Sequence, residues 1–166
     1  MFYYNCNGYN FITITVIASR QVVILNPEYD KIVERLRDAD VRLSHHRLAI
    51  LRYLCENTVH PTADQIYSSL HESEPTLSKT TVYNNLNTFI NAGILRLITI
   101  ENNETRYDID VEDHGHFRCD VCGKVYDFPF RIGDEDTEAL EGYLIKDRNV
   151  YFTGICPGCR KKDPEK

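Results

Sequence analysis

The sequence predicts an α+β chain in which a helical domain ending in a β-hairpin is followed by a small α/β domain that carries paired cysteines. Two observations lead to this prediction. Apolar residues recur at helical spacing in four successive segments between residues 27 and 93, and two β-rich segments follow them. After Asp110 the composition changes, and both Cys-x-x-Cys motifs of the chain lie beyond that point.

The composition is that of a folded protein without a membrane span. The chain has 166 residues, 42% of them apolar, so one or two domains with buried cores are possible. Its longest apolar stretch, residues 11–25, is interrupted at residues 19–21 and is too short to cross a membrane, and a basic signal-peptide start is lacking. We therefore expect a cytoplasmic protein, in which reducing conditions leave paired cysteines available for metal.

The four predicted helices begin at residues suited to that position. In chain order these residues are Asn26 with Pro27, Ser44, Thr62 with Gln65 as a capping box before Ala63–Leu70, and Ser78. Gly93 stands where a glycine would end the fourth helix. The β-rich runs Ile94–Glu101 and Thr105–Ile109 follow, joined by Asn102 and Asn103, which suit a hairpin turn. Together these elements describe a winged helix-turn-helix.

The fourth helix has a polar side that could contact DNA, although an ordinary solvated face fits the same pattern. The hairpin that follows favours the first interpretation. Tyr83, Asn84 and Asn85 offer a phenol and two amides for base edges or phosphates in the major groove. Lys79 and Arg47 can contact the DNA backbone.

The net charge of −6 argues against a nucleic-acid partner unless basic residues gather on one face. Such a face would have to be formed by Arg42, His45, His46, Arg47 and Lys79.

Two motifs in the second half place four thiols on tight turns. They contain Cys119 with Cys122 and Cys156 with Cys159. Four thiolates suit a tetrahedral, closed zinc site, and the alternative is two unrelated pairs of free or redox-active thiols. Of the other two cysteines, Cys55 fits the apolar face of the second helix and Cys6 has no partner motif.

Outside these motifs, the sequence of the second half predicts a strand, a second strand, a helix and a third strand. The predicted elements are Phe117–Cys119, Val125–Phe128, Asp136–Tyr143 and Val150–Thr153. The open edge of so small a sheet could pair with a second copy and build a homodimer.

The chain therefore divides into three parts. Residues 1–25 form an extension of unassigned role, either strand-like or added by an upstream start codon. Residues 26–110 form a winged-helix DNA-binding domain, and residues 111–166 a zinc-containing dimerisation domain.

A second metal site is indicated by histidines and carboxylates near the domain boundary. His114 and His116 can present two imidazoles to one ion, with Asp108, Asp127 and His60 as further candidates. Three imidazoles and two carboxylates suit Fe(II), Mn(II) or Zn(II). Since the ligands come from both halves, bound metal would fix the angle between them and the spacing of two recognition helices on a palindromic site. The alternatives are that His60 caps a loop and that Asp127 is an exposed strand residue.

With these residues assembled, the chain from about Tyr29 to Lys162 resembles the Fur family of metal-dependent repressors, specifically its peroxide-sensing branch. The motifs that carry the resemblance are VHPTADQIY at 59–67, TTVYNNL at 80–86, RYD at 106–108, DHGHFRCDVCGK at 113–124 and VYDF at 125–128.

The resemblance implies a structural zinc on the four cysteines and a regulatory Fe(II) or Mn(II) site on His60, Asp108, His114, His116 and Asp127. Iron sensors of the family usually have Glu at the two Asp positions, so the aspartates favour the peroxide sensor. The resemblance further implies that Fe(II) and hydrogen peroxide cause oxidation of His60 or His114, loss of metal and derepression of peroxide-defence genes. Manganese would support repression without peroxide sensitivity.

Three other functions are compatible with parts of the pattern. A regulator of iron or zinc availability would respond to metal and ignore peroxide. A non-haem iron or zinc enzyme would need an unassigned acid or base motif, and since we find none we expect the protein not to be an enzyme. A zinc-stabilised module that binds protein rather than DNA would agree with the acidic charge.

Overall fold

The computed structural model describes residues 13–16, 22–25, 27–100, 104–130 and 138–162. It separates into two compact units, Met1–Val111 and Glu112–Lys166, which are described one at a time. Some predicted features lie outside the described residues. They are the cap at Asn26, the turn at Asn102 and Asn103, the first two residues of the helix predicted at 136–143, and Cys6.

The described residues of the first unit form two pairs of strands and four helices. In chain order its elements are β1 (Thr13–Val16), β2 (Val22–Leu25), α1 (Pro27–Asp38), α2 (His45–Glu56), α3 (Ala63–Leu70), α4 (Lys79–Asn91), β3 (Arg96–Ile98) and β4 (Arg106–Asp108). Both strand pairs are antiparallel, and Leu97 lies opposite Tyr107 in the second pair. The predicted order of three helices, a fourth helix and a hairpin is confirmed. No helix among the described residues has the length and apolar run that a membrane span requires.

The predicted helix caps that fall on described residues are present. Thr62 Oγ1 accepts a hydrogen bond from the Gln65 backbone N–H at 3.2 Å, and Gln65 Oε1 accepts from the Thr62 N–H at 2.8 Å. Ser78 accepts from the backbone N–H of Thr81 at the start of α4, and Ser44 acts in the same way at the start of α2. After α4, Gly93 adopts the left-handed conformation with φ of 66°.

The helices of the first unit share one core. Its fully buried side chains include Leu36, Ile50, Leu51, Leu54, Ile66, Val82, Leu86, Phe89 and Ile94. Each large apolar side chain contributes roughly 1.5–3 kcal/mol by burial. On α2 the apolar side chains of Leu48, Leu51, Leu54 and Cys55 recur at the spacing of a buried face, but Ile50 is fully buried whereas Leu48 is only half-buried.

In the part of the second unit that the structure describes, there is a three-stranded sheet and a short helix. Its elements are β5 (Gly115–Cys119), β6 (Val125–Phe128), β7 (Val150–Gly154) and α5 (Pro157–Lys162). The strand order is β6-β5-β7, with β5 antiparallel to β6 and parallel to β7. The three predicted strands are confirmed.

The prediction of a helix at Asp136–Tyr143 is wrong for the residues of that segment that the structure describes. Only a single 3-10 turn forms, at residues 138–140, and Gly142 follows it with φ of 84°. Leu140 and Tyr143, the large apolar side chains of the predicted helix, are 43% and 72% exposed. Because so short a helix depends on packing of an apolar face, these exposed side chains explain why it does not extend.

We expect Cys55 to be chemically inert in the folded protein. It is buried in the core, and burial, reinforced by the charges of Glu56 and Glu28, raises the pKa of its thiol to about 12. Since the thiolate is the reactive form, iodoacetamide at about pH 8 should leave Cys55 unmodified in the native protein and alkylate it in urea. Peptide masses measure both states, and alkylation of the native protein at Cys55 would contradict the buried placement.

Candidate functional site

The four predicted cysteines gather at one end of the three-stranded sheet. Cys119 ends β5 and Cys156 follows β7, and because these strands are adjacent and parallel their carboxyl ends meet at the same edge. Cys122 lies in the turn after β5 and Cys159 in α5. The four Sγ atoms all lie within 4.8 Å of one another. The alternative of two unrelated thiol pairs does not agree with this arrangement.

Backbone donors favour the thiolate form within the cluster. The Cys156 N–H donates to Cys119 Sγ at 3.3 Å and contributes most to lowering the pKa of the Cys119 thiol to about 6. The backbone N–H of Cys159 likewise lowers the pKa of Cys156. The pKa of the Cys159 thiol is instead raised to about 12, chiefly by its hydrogen bond with Cys156. Four thiols gathered around one point form the donor set of a structural zinc site, which leaves no open position for a substrate.

A second donor set lies in the same unit, on β6, on β5 and on the residue directly before β5. His116 is directly opposite Asp127 in the antiparallel register. His114 Nε2 lies 3.0 Å from His116 Nε2, and both atoms lie 3.7 Å from Asp127 Oδ1. Two donors that share an ion about 2.1 Å away cannot be more than about 4.2 Å apart, and all three separations are below this limit, so one metal ion can reach all three donors.

The orientation of the His114 ring agrees with a role as a ligand. Its Nδ1 lies 2.9 Å from the carbonyl oxygen of Glu112, which can only accept a hydrogen bond. Nδ1 therefore carries the proton, and Nε2 is the lone-pair nitrogen that faces His116 and Asp127. Asp127 is mostly buried, with a side chain 18% exposed, which does not agree with its interpretation as a surface strand residue.

The other two predicted ligands lie together in the first unit. His60 and Asp108 are both buried, and His60 Nε2 lies 3.8 Å from Asp108 Oδ1. His60 has a φ of 52° directly before Pro61, a conformation that non-glycine residues rarely adopt. The backbone N–H of Tyr107 donates to the Pro61 carbonyl at 3.1 Å and ties this loop to β4. Such a strained, buried histidine is typical of a functional position rather than of a loop cap.

The outer side of α4 carries three of the predicted DNA-contacting residues. Tyr83 is 45% exposed, and Asn84 and Lys79 are also exposed. Lys79 Nζ forms an ion pair with Asp64 Oδ1 at 2.7 Å and lies over the Tyr67 ring. The lysine charge is therefore partly offset by a neighbouring acid.

Asn85 is not on that side of the helix, and this placement corrects the prediction. Its side chain is only 5% exposed. Its Nδ2 donates to the Thr81 carbonyl at 2.8 Å, and its Oδ1 accepts from Arg47 Nε at 2.8 Å. The guanidinium of the half-buried Arg47 is therefore hydrogen-bonded to a side chain of the same protein. The predicted basic face is reduced further because His45 pairs with Glu74 at 2.8 Å.

The fold and the two kinds of donor set define a metal-binding winged-helix protein. A model of the ferric uptake regulator family matches residues 38–153, and the chain belongs to this family, as the motifs predicted. The Peroxide operon regulator of Bacillus subtilis (strain 168) is 36% identical over 139 residues, which cover 82% of this chain and 96% of that protein. The Peroxide-responsive repressor PerR of Staphylococcus aureus (strain USA300) is 33% identical over 147 residues, covering 87% and 99%. The crystal structure of the Vibrio cholerae ferric uptake regulator matches with a TM-score of 0.60 and 26% identity, covering 74% of this chain and 98% of that one.

We expect replacement of Gly115 to disturb the donor set on β5. A Cβ atom at this position would lie 2.3 Å from Cζ of Phe128, whose ring stacks on Phe152 at 5.3 Å. In Gly115→Ala the ring must move, and Phe128 directly follows Asp127 on β6. The free energy of unfolding should fall by about 1–3 kcal/mol, and Mn(II) affinity should fall by about tenfold or more.

The matched control is Gly154→Ala on β7, where the new Cβ would meet Phe117 at an ordinary 3.4 Å. Urea unfolding and isothermal titration with Mn(II) compare the two variants. Equal losses in both would show that the approach to Phe128 does not determine the geometry of the site.

Proposed function

We propose that the protein is a metal-dependent DNA-binding transcriptional repressor that senses hydrogen peroxide through Fe(II)-dependent oxidation of ligand histidines and thereby derepresses oxidative-stress genes. The observation that carries the proposal is the trio of His114, His116 and Asp127, spaced for one ion in a chain of the ferric uptake regulator family. The names of the Bacillus and Staphylococcus relatives add peroxide as the signal.

Cys119, Cys122, Cys156 and Cys159 would hold a structural Zn(II). Such a site contributes folding energy and has no vacant position for chemistry. In this proposal the thiolates serve as a scaffold and do not take part in sensing.

The regulatory Fe(II) or Mn(II) would be bound by His60, Asp108, His114, His116 and Asp127. Three donors in the second unit are fewer than the five or six that these ions accept from nitrogen and oxygen ligands. The first unit offers a further buried imidazole and carboxylate in His60 and Asp108. Because the donors belong to different units, metal binding would favour one arrangement of the units over others, and DNA affinity would follow metal occupancy.

Iron, when bound, would supply the redox chemistry that makes hydrogen peroxide reactive enough to oxidise an imidazole. The residues proposed to be modified are His60 and His114. The net change adds one oxygen atom from peroxide to an imidazole ring, with water as the second product. The oxidised ring is a poorer ligand, so the metal would dissociate and repression would end.

The DNA-contacting surface is proposed to be the outer side of α4, with Lys79 contacting phosphate and with Tyr83 and Asn84 reaching base edges. A homodimer on a palindromic operator fits the family, and the second unit has exposed apolar side chains that a second copy could cover. These side chains are Leu140, Tyr143, Leu144 and Ile145. We place this regulator in the cytoplasm with its DNA, without a membrane partner and without enzymatic activity.

The test is a DNA-binding titration under anaerobic conditions. Fe(II) or Mn(II) is added to the zinc-loaded full chain with a palindromic operator of a peroxide-responsive relative, and hydrogen peroxide follows. We expect either metal to restore binding, peroxide to abolish it only with iron, and peptide masses to show one added oxygen on His60 or His114.

Other outcomes separate the alternatives. Metal-dependent binding that survives peroxide with unmodified histidines would make the protein a regulator of metal availability. Failure to bind duplex DNA under every metal condition would contradict the repressor proposal and favour a protein-binding module.

We further expect Asp64→Asn to strengthen operator binding. The substitution removes the acid that pairs with Lys79 and leaves the lysine charge available to phosphate. Because both side chains are more than half exposed, the gain should be modest, about two- to fivefold at about 0.1 M salt. Fluorescence anisotropy measures it. The control is the same substitution in a Lys79→Met background, where a gain of equal size would show that Asp64 does not act through Lys79.

A further inference from the structure

Asn85 occupies a position in α4 where an apolar residue is the norm. It lies three residues after Val82 and four before Phe89, within the stripe that faces the core of the first unit. An amide in such a place loses its hydration and destabilises the fold unless its polar atoms are hydrogen-bonded. The structure supplies those bonds from two directions.

One bond is local to α4 and the other reaches α2. Asn85 Nδ2 donates to the Thr81 carbonyl one turn earlier, and Asn85 Oδ1 accepts from Arg47 Nε, both at 2.8 Å. Arg47 lies in the first turn of α2, and its Nη1 donates to the carbonyl oxygen of Arg42 in the preceding loop. One guanidinium therefore connects α2, the loop before it and α4.

These bonds restrict the rotation of α4 about its own axis. Apolar contacts such as those of Leu86 and Phe89 are non-directional and tolerate small rotations. A hydrogen bond to a planar guanidinium weakens steeply when its angle changes, and a bond to a charged donor is among the stronger ones in proteins. Tyr83 and Asn84 directly precede Asn85, so a rotation that displaced Asn85 would turn both away from their outward direction.

We propose that Arg47 and Asn85 are positioning residues, which fix the rotation of α4 so that Tyr83 and Asn84 face DNA at a constant angle, and that neither residue contacts DNA itself. This inference rests on the proposed function for the identity of the ligand that α4 meets. It assigns a different role to two residues that the sequence suggested as direct contacts.

The sharpest variant is Arg47→Lys, because it keeps the positive charge. A phosphate contact that needs only a positive charge survives this change. One ammonium group, however, cannot reproduce the geometry in which the planar guanidinium donates to Asn85 and to the Arg42 carbonyl at once. We expect Arg47→Lys to lower operator affinity by about tenfold and to leave affinity for a non-operator duplex unchanged. Fluorescence anisotropy on the Mn(II)-loaded full chain, from low to moderate salt, measures both.

A double-mutant cycle with apolar replacements provides the second readout. Arg47→Met, Asn85→Leu and the double variant should each lower operator affinity without changing the slope of log affinity against log salt. The double variant should be no worse than the more affected single variant, since both replacements remove one shared interaction. A slope that falls by about one in Arg47→Met, with equal loss on non-operator DNA, would identify a phosphate contact and overturn the proposal. Additive losses would overturn it as well.

Failure of the proposed function has a separate signature. If the unsubstituted chain binds no duplex under any metal condition, the repressor proposal fails, and the cycle is then measured by urea unfolding. Non-additive unfolding free energies would still support the fixing of α4 by this pair, and additive ones would overturn it. Circular dichroism identifies any variant that does not fold, and Arg47→Lys remains as the variant least disturbing to packing.

Discussion

The gathering of four thiols at one end of the β5–β7 sheet is the constraint on which the second unit depends. Among its described residues, the buried apolar side chains are limited to Val125 and to Cys119 and Cys156. Large apolar side chains such as Tyr143 and Phe152 are exposed instead. So small a unit cannot be stabilised by hydrophobic burial alone, and it needs a metal, a partner or both. A zinc ion bound by the four cysteines would supply the stabilisation that the apolar side chains of this unit do not provide.

The dependence extends to the site proposed for sensing, because β5 carries one member of each donor set. His116 and Cys119 lie three residues apart on β5, so the geometry of the imidazoles relies on a sheet that the thiol cluster holds together. The arrangement also separates the two chemistries. Thiols with a lowered pKa, such as Cys119, would be coordinated by zinc, and burial raises the pKa of Cys55. Among the described cysteines no reactive, uncoordinated thiol is then left, which leaves imidazoles as the groups for a peroxide signal to modify.

Local signals in the sequence predicted most of the fold, and tertiary packing decided what they missed. The caps at Thr62 and Ser78 were predictable because they depend on neighbours within one turn. The prediction of a helix at 136–143 failed over its described residues, since the apolar side chains there have no surface to pack against. The helix α5 was not predicted, although Pro157 suits a first helical position. For the site, residue types and motifs indicated His116 and Asp127, but their direct opposition follows from a strand register that no single residue determines. The amide of Asn85 suggested the polar side of α4, but its position within the apolar stripe places it on the buried side.

A protein with a net charge of −6 has little general electrostatic attraction to DNA, and contacts within the first unit reduce that attraction further. Lys79 is paired with Asp64, His45 with Glu74, and the Arg47 guanidinium with Asn85. Phosphate attraction, which is insensitive to sequence and to protein conformation, is thereby kept weak. Under the proposed function, binding would then depend on the orientation of α4 and on the spacing of the two α4 helices in a dimer. A regulator switched by metal occupancy requires this balance, because a surface that held DNA by charge alone would remain bound whether or not the metal was present.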